Sequence, residues 1–298
     1  MNGVLIVDKP EGKTSFDVVA EVRRLLKIRK AGHTGTLDPM ATGVLPLCLG
    51  DATRLVPFLT DGDKQYEAEV RLGAATDTQD RTGRIVAEAP VGELSRERLL
   101  EALASLRGEI AQIPPMYSAI RVNGQRLYEL ARQGKEIERA ARPVVVHEIA
   151  LLGFEPPLFR MRVRCSKGTY VRTLAHDAGA RLGCHAHLTA LRRTASGPFG
   201  LEQALPLAEL RELTPEQIAQ RLVGDREALA GLPELVVEPG LATRVRQGQR
   251  LGAADLPGLA GLAEGARLRL SCEQGRVLAV AQWREGTAHY LRVLAGTG

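Results

Sequence analysis

The chain has 298 residues, 44% of them hydrophobic and 25% charged, an ordinary globular composition with room for one sizeable domain and a small one. Forty Lys and Arg against 35 Asp and Glu leave a formal charge of +5, compatible with a polyanionic partner but weak evidence for one. No stretch approaches the ~18 apolar residues of a membrane span, and the four cysteines lie outside CxxC spacing, which disfavours a zinc knuckle or a redox pair and fits a reducing cytoplasm.

In chain order, Val4 to Val7 reads as a buried strand entered without the basic, apolar pattern of a signal peptide. Thr14 or Ser15 caps a helix that places Val18, Val19, Val22, Leu25 and Leu26 on one face. Ala31 to about Leu49 reads as a loop punctuated by Gly and Pro. Tyr66 to Leu72 is a strand, and Leu94 to Leu106 an amphipathic helix.

Residues 113–143 read as an irregular insertion with one short helix, Leu127 to Arg132. Strands follow at Val144 to Leu152 and Leu158 to Cys165. In the second, Phe159, Met161, Val163 and Cys165 alternate with Arg160, Arg162 and Arg164, so one face is buried and the other faces solvent or phosphate. Tyr170 to Leu182 is a helix ended by Gly183, and short helices at Pro206 to Leu213 and Pro215 to Leu222 precede a boundary near 225–235. Three short strands, Ala266 to Cys272, Val277 to Trp283 and Ala288 to Leu294, then give a small β-rich domain. These patterns alone specify an α+β protein of two domains.

The stretch Gly32-His33-Thr34-Gly35-Thr36-Leu37-Asp38-Pro39-Met40-Ala41-Thr42-Gly43 is neither a P-loop nor a dinucleotide fingerprint. It presents a His and an Asp five positions apart. Taken alone, Asp38 before Pro39 is more often a turn residue, and His33 a structural histidine. Cys184-His185-Ala186-His187 has no second half at ligand spacing, so no metal site is expected.

The Asp38 stretch resembles the signature of the bacterial tRNA pseudouridine-55 synthases, the TruB family. Further matches lie in order at Asp8-Lys9-Pro10, Asp63-Lys64-Gln65-Tyr66, Asp77-Thr78-Gln79-Asp80, Ile113 through Ala119, Gly124 through Gly134, Cys165 through Leu174, and Leu188 through Phe199. The resemblance covers roughly residues 3–200, and the tail more weakly as a PUA-like β-barrel. It implies a mixed, mostly antiparallel sheet with flanking helices for residues 1–228, including an RNA-clamping insertion. Residues 229–298 would form the small RNA-binding domain. The implied reaction is the isomerisation of uridine 55 in the T-loop of tRNA, without a cofactor, by a cytoplasmic monomer needing no protein partner.

Carried over by resemblance, Asp38 is the essential aspartate, Tyr66 stacks on the target base and Arg172 pairs with the aspartate. Lys9 and Pro10 support the active-site loop, Leu191 lies against the base, and His33 acts in displacing nucleotides. Tyr170 is a stacking or a packing residue. Lys64 and the insertion's Arg121, Arg126, Arg132 and Arg142 are expected on the RNA. Two other readings stay open: a tRNA-binding or tRNA-folding protein of the same fold, and a guide-RNA-dependent synthase.

Overall fold

The structure, a computed structural model, describes residues 1–294 except Asn123 and Ala260. Asn123 of the expected insertion and residues 295–298 of the expected C-terminal domain therefore lie outside the described residues.

The chain opens with β1 (Gly3–Lys9), α1 (Ser15–Leu25), β2 (Ala31–His33) and β3 (Thr42–Leu49). A short α2 (Val56–Thr60) leads to β4 (Lys64–Leu72), then the hairpin β5 (Ala74–Thr76) and β6 (Ile85–Glu88), α3 (Arg96–Ala104) and β7 (Gly108–Gln112). The insertion holds a small hairpin, β8 (Arg121–Val122) and β9 (Gln125–Arg126), and α4 (Leu127–Arg132). β10 (Arg142–Glu155), β11 (Leu158–Cys165), α5 (Val171–Leu182), β12 (Ala186–Ser196), β13 (Phe199–Gly200) and β14 (Leu205–Pro206) follow, then α6 (Leu207–Leu210), α7 (Pro215–Ala219) and α8 (Asp225–Ala228). The last elements are β15 (Glu234–Val237), α9 (Pro239–Arg246), β16 (Leu251–Gly252), β17 (Arg267–Cys272), β18 (Val277–Arg284) and β19 (Thr287–Val293).

The large sheet runs β14-β1-β3-β12-β4-β11-β10-β7, with β2 on β3 and β13 on β12. Only the β1–β14 and β3–β12 pairs are parallel. Its core-facing side chains pack against α1, α3 and α5 through Val18, Val22, Leu99, Leu103, Leu174 and Ala178. α1 begins where a capping box joins Thr14 and Asp17, a device worth about 1 kcal/mol. α5 ends at Gly183, whose φ of 77° suits the left-handed residue that closes a helix.

The expected loop from Ala31 to Leu49 is corrected: only residues 34–41 are loop, and β3 is buried on both faces. Leu45, Leu47 and Leu49 enter the helix-side core, while Val44 and Cys48 enter a second core with Val4, Ile6 and the C-terminal Val277 and Val280. A strand apolar on both faces lacks the alternation that announces a strand. β12 escaped the sequence reading because bulges at Leu188/Ala190 and Arg193/Ala195 break its period. The C-terminal strands form a five-stranded sheet, β15-β17-β18-β19-β16, which shares a core of its own with α9; the sequence reading lacked β15, β16 and α9.

Candidate active site

Asp38 sits on the eight-residue turn between β2 and β3, fixed from both sides. Before it, the buried Ser15 hydroxyl accepts from Leu37 N (2.8 Å) and donates to Leu37 O (3.3 Å). After it, Gly12 N–H donates to the Pro39 carbonyl (2.8 Å), and Ala41 N–H closes the turn on the Asp38 carbonyl (3.0 Å). Leu37, Met40 and Ala41 are buried, so the turn is anchored by packing as well as by hydrogen bonds.

Lys9 supports this turn from below. Its ammonium is fully buried and donates to the carbonyls of Pro10 (2.8 Å), Lys13 (2.6 Å) and Pro39 (3.3 Å). Burial lowers its pKa to about 8, against the raising influence of Asp38. Pro10 itself is exposed and contributes its carbonyl.

Arg172, in the first turn of α5, crosses to the loop. Its Nε lies 2.9 Å from Asp38 Oδ2, and its Nη2 donates to Asp38 Oδ1 at 3.2 Å. Nη2 also donates to the Tyr117 carbonyl and Nη1 to the Thr78 carbonyl, both at 2.8 Å. Asp80 Oδ2 lies 3.6 Å from Nη1, so one buried guanidinium lies between two carboxylates. Asp38 keeps a third of its side-chain surface open, whereas Asp80 is buried. The balance at Asp38 is set first by burial, which pushes its pKa above the ordinary carboxylate value. Arg172 opposes the rise, Asp80 adds to it and Lys9 opposes it.

Sequence reasoning assigned no role to Asp80, although its motif was on view. It also missed Arg193, 1% exposed, which donates through Nε to the Val44 carbonyl (2.7 Å) and through Nη2 to the Gly35 carbonyl (3.1 Å). Arg193 shares the buried face of β12 with Leu191, and a charge on a buried strand face signals an internal partner. Gly43, at φ 102°, makes this possible: a Cβ there would stand 2.2 Å from the Arg193 carbonyl.

Tyr66, on β4, is half-buried, and burial raises its pKa while Arg193 draws it back; Asp38 acts on it in the raising sense. Tyr170 immediately precedes α5, its backbone N–H bonded to Gln112 Oε1 (2.8 Å). Burial raises its pKa too, with Ser118, Arg172 and Arg142 opposing. His33 is half-buried on β2, its Nδ1 has no partner among the described residues, and burial with Arg193 lowers its pKa. Leu191 lines a groove of about 320 Å³ with Met40 and Ala68, rimmed by Glu11, Arg81 and Arg192.

Lys64 stands apart from the expectation that it meets RNA. It is 7% exposed, its ammonium donates to the Thr60 and Gly62 carbonyls, and burial lowers its pKa to about 8. It holds the turn from α2 into β4, the strand that carries Tyr66. The insertion's Arg121, Arg126, Arg132 and Arg142 are all exposed. Arg126 and Arg132 flank the Tyr128 ring at 5.8 and 5.4 Å. Tyr128 N–H donates to the Ser118 carbonyl (3.1 Å), one residue from the carbonyl that receives Arg172.

A family model described as TruB family pseudouridylate synthase (N terminal domain) matches residues 23–171, and one described as tRNA pseudouridylate synthase B C-terminal domain matches residues 172–229. The chain is 48% identical to the tRNA pseudouridine synthase B of Azoarcus sp. (strain BH72), over 99% of this chain and 95% of the relative. The enzyme of that name from Geobacter sulfurreducens is 46% identical over 94% and 93%. Among solved structures, a Cbf5-Nop10-Gar1 complex matches with a TM-score of 0.79 at 27% identity, covering 98% of this chain and 85% of that one. An H/ACA RNP bound to a substrate RNA containing 2'-deoxyuridine matches at 0.77 and 26%, covering 99% and 85%.

Proposed function

The chain belongs to the TruB family of pseudouridylate synthases, and from this we propose that it converts uridine 55 in the T-loop of tRNA to pseudouridine, with Asp38 as the nucleophile. The observation that carries the reading is the open Asp38 carboxylate held side-on by the buried Arg172.

The reaction breaks the C1′–N1 bond, turns the uracil and joins C5 to C1′. It is redox-neutral and consumes no co-reactant. An oriented carboxylate starts it by adding to C6, attacking C1′ or removing the 2′ proton. Arg172 keeps Asp38 aimed and favours its charged form, while the hydrogen bonds around Leu37 and Pro39 remove the turn's freedom to drift. Tyr66 supplies a ring on which the extruded uracil stacks, worth ~1–3 kcal/mol. Extrusion of the base costs a few kcal/mol, offset by contacts around the loop. His33, half-buried on β2 with its Nδ1 unpartnered among the described residues, acts in displacing nucleotides, and Tyr170, at the start of α5, is a stacking or packing residue.

Residues 1–228 form the catalytic unit and 229–298 an accessory RNA-binding unit. The insertion's exposed arginines close over the RNA as a clamp, and hydrogen exchange across 121–142 that slows on adding tRNA is its signature. The enzyme acts as a cytoplasmic monomer on tRNA alone, unlike the multi-component Cbf5-Nop10-Gar1 complex among its structural neighbours. Naked tRNA transcript carrying tritium at C5 tests the reaction: release without partners, with mass spectrometry of acrylonitrile-treated digests placing the cyanoethylated pseudouridine at position 55, supports the reading. Binding without release leaves a tRNA-folding protein.

A further inference from the structure

The sequence from the end of α1 to β2 contains Arg23, Arg24, Lys27, Arg29 and Lys30, five cations in eight residues with no acid among them. All five are exposed, and none makes a side-chain hydrogen bond or an ion pair among the described residues. Outside this run the chain holds 35 basic and 35 acidic residues, so the run carries the whole net charge.

The bland explanation, a solvated helix face, fits poorly. Such faces mix signs and make i,i+4 pairs. The two acids of α1 are engaged elsewhere: Asp17 in the capping box with Thr14, and Glu21 with Lys13 (3.1 Å) and Arg211 (2.7 Å). Attraction to the helix C-terminus accounts for Arg23 and Arg24, but Lys27, Arg29 and Lys30 lie beyond the last helical residue. Lys27 takes a φ of 51°, the left-handed turn that leads the chain back toward β2.

The patch is also physically continuous with the catalytic loop. α1 starts at Ser15, which holds Leu37, and the segment beyond the patch becomes β2, which carries His33. At 1.5 Å per helical residue, the patch begins about 12 Å from the Ser15 anchor, within reach of backbone phosphates a few nucleotides from the uridine. We infer that Arg23, Arg24, Lys27, Arg29 and Lys30 form a second RNA contact, a site for the phosphate backbone distinct from the insertion and the C-terminal domain. The inference rests on tRNA being the substrate.

The test compares the wild type with R23Q/R24Q/K27Q and with R29Q/K30Q, using R96Q on α3 as an exposed control. Binding of full-length tRNA transcript and of the isolated T-arm stem-loop is measured between about 50 and 200 mM salt, where each lost phosphate contact flattens the log–log salt slope by about 0.7–0.9. The patch variants are expected to bind ~10-fold or more weakly at low salt, with a slope reduced by about 2, and R96Q to match the wild type. Equal losses on both RNAs place the contact on the T-arm stem; loss on full-length tRNA alone places it on another arm. Unchanged affinity and slope on both RNAs overturn the proposal. Since binding is read separately from turnover, absence of pseudouridine in the wild type would defeat the functional reading and leave this result interpretable.

Discussion

The Arg172 guanidinium lies side-on to the Asp38 carboxylate, Nε to Oδ2 at 2.9 Å and Nη2 to Oδ1 at 3.2 Å, while Nη1 and Nη2 also donate to the Thr78 and Tyr117 carbonyls. One planar cation thus ties together three stretches far apart in sequence. A lysine offers a point charge and cannot span these acceptors. Arg172→Lys is expected to lower kcat by about 10²–10³ with a smaller change in KM, and Asp38→Asn to abolish turnover while tRNA binding persists. Tritium release and filter binding check both. Asp38→Asn turnover near wild type would remove the carboxylate from the mechanism.

The pH profile carries a sign. In the proposed reaction Asp38 acts as its anion, and burial raises its pKa above the ordinary carboxylate value. Single-turnover rate is therefore expected to fall tenfold per unit once pH drops below that raised pKa, and to be level above it. Asp80 adds to the rise, so Asp80→Asn should move this acid limb to lower pH. The same variant should slow the plateau, because Asp80 also holds Arg172 Nη1. A limb that does not move would mean Asp80 acts through position alone.

Two buried ammoniums give a stability signature. Lys9 and Lys64 have pKa values lowered from 10.5 to about 8, so between those values the unfolded chain binds protons that the folded protein does not. Stability then rises with pH through this window and is lower below it. Cys48 and Cys165, raised from 9.0 to about 12 and about 11, oppose this once pH passes 9.0. The clean interval is pH 8 to 9, where the gain approaches ~1 kcal/mol per lysine. Urea titrations should show it, and Lys64→Met should flatten it; an equal slope in that variant would refute the assignment.

The parts of the fold legible in the sequence were those whose signal is local. The Thr14 cap, the alternation from Phe159 to Cys165 and the Gly183 stop each sit within a few residues of what they determine. β3 was illegible because burial on both faces erases its period. In the site, Asp38, Tyr66 and Arg172 came from motif resemblance, while Asp80 and Arg193 acquire roles only through partners about 90 to 160 residues away. Lys64, expected on the RNA, is corrected for the same reason: only the carbonyls of Thr60 and Gly62, reached through the fold, show where its charge goes.

Gly43 offers the sharpest test of how the framework serves the site. Its φ of 102° is one that L side chains rarely adopt, and an added Cβ would meet the Arg193 carbonyl at 2.2 Å, so alanine there must push β3 and β12 apart. That displacement would reach Arg193, whose bonds to Val44 and Gly35 position the strand leading out of the Asp38 turn and the residue near its start. Gly43→Ala is expected to cost about 2–4 kcal/mol in urea unfolding and to lower kcat at least tenfold. Alanine at Gly12, also at positive φ but with nothing within 4 Å of its Cβ, should cost less, about 1 kcal/mol. Equal losses at both glycines would show that backbone strain alone, and not the approach to Arg193, sets the cost.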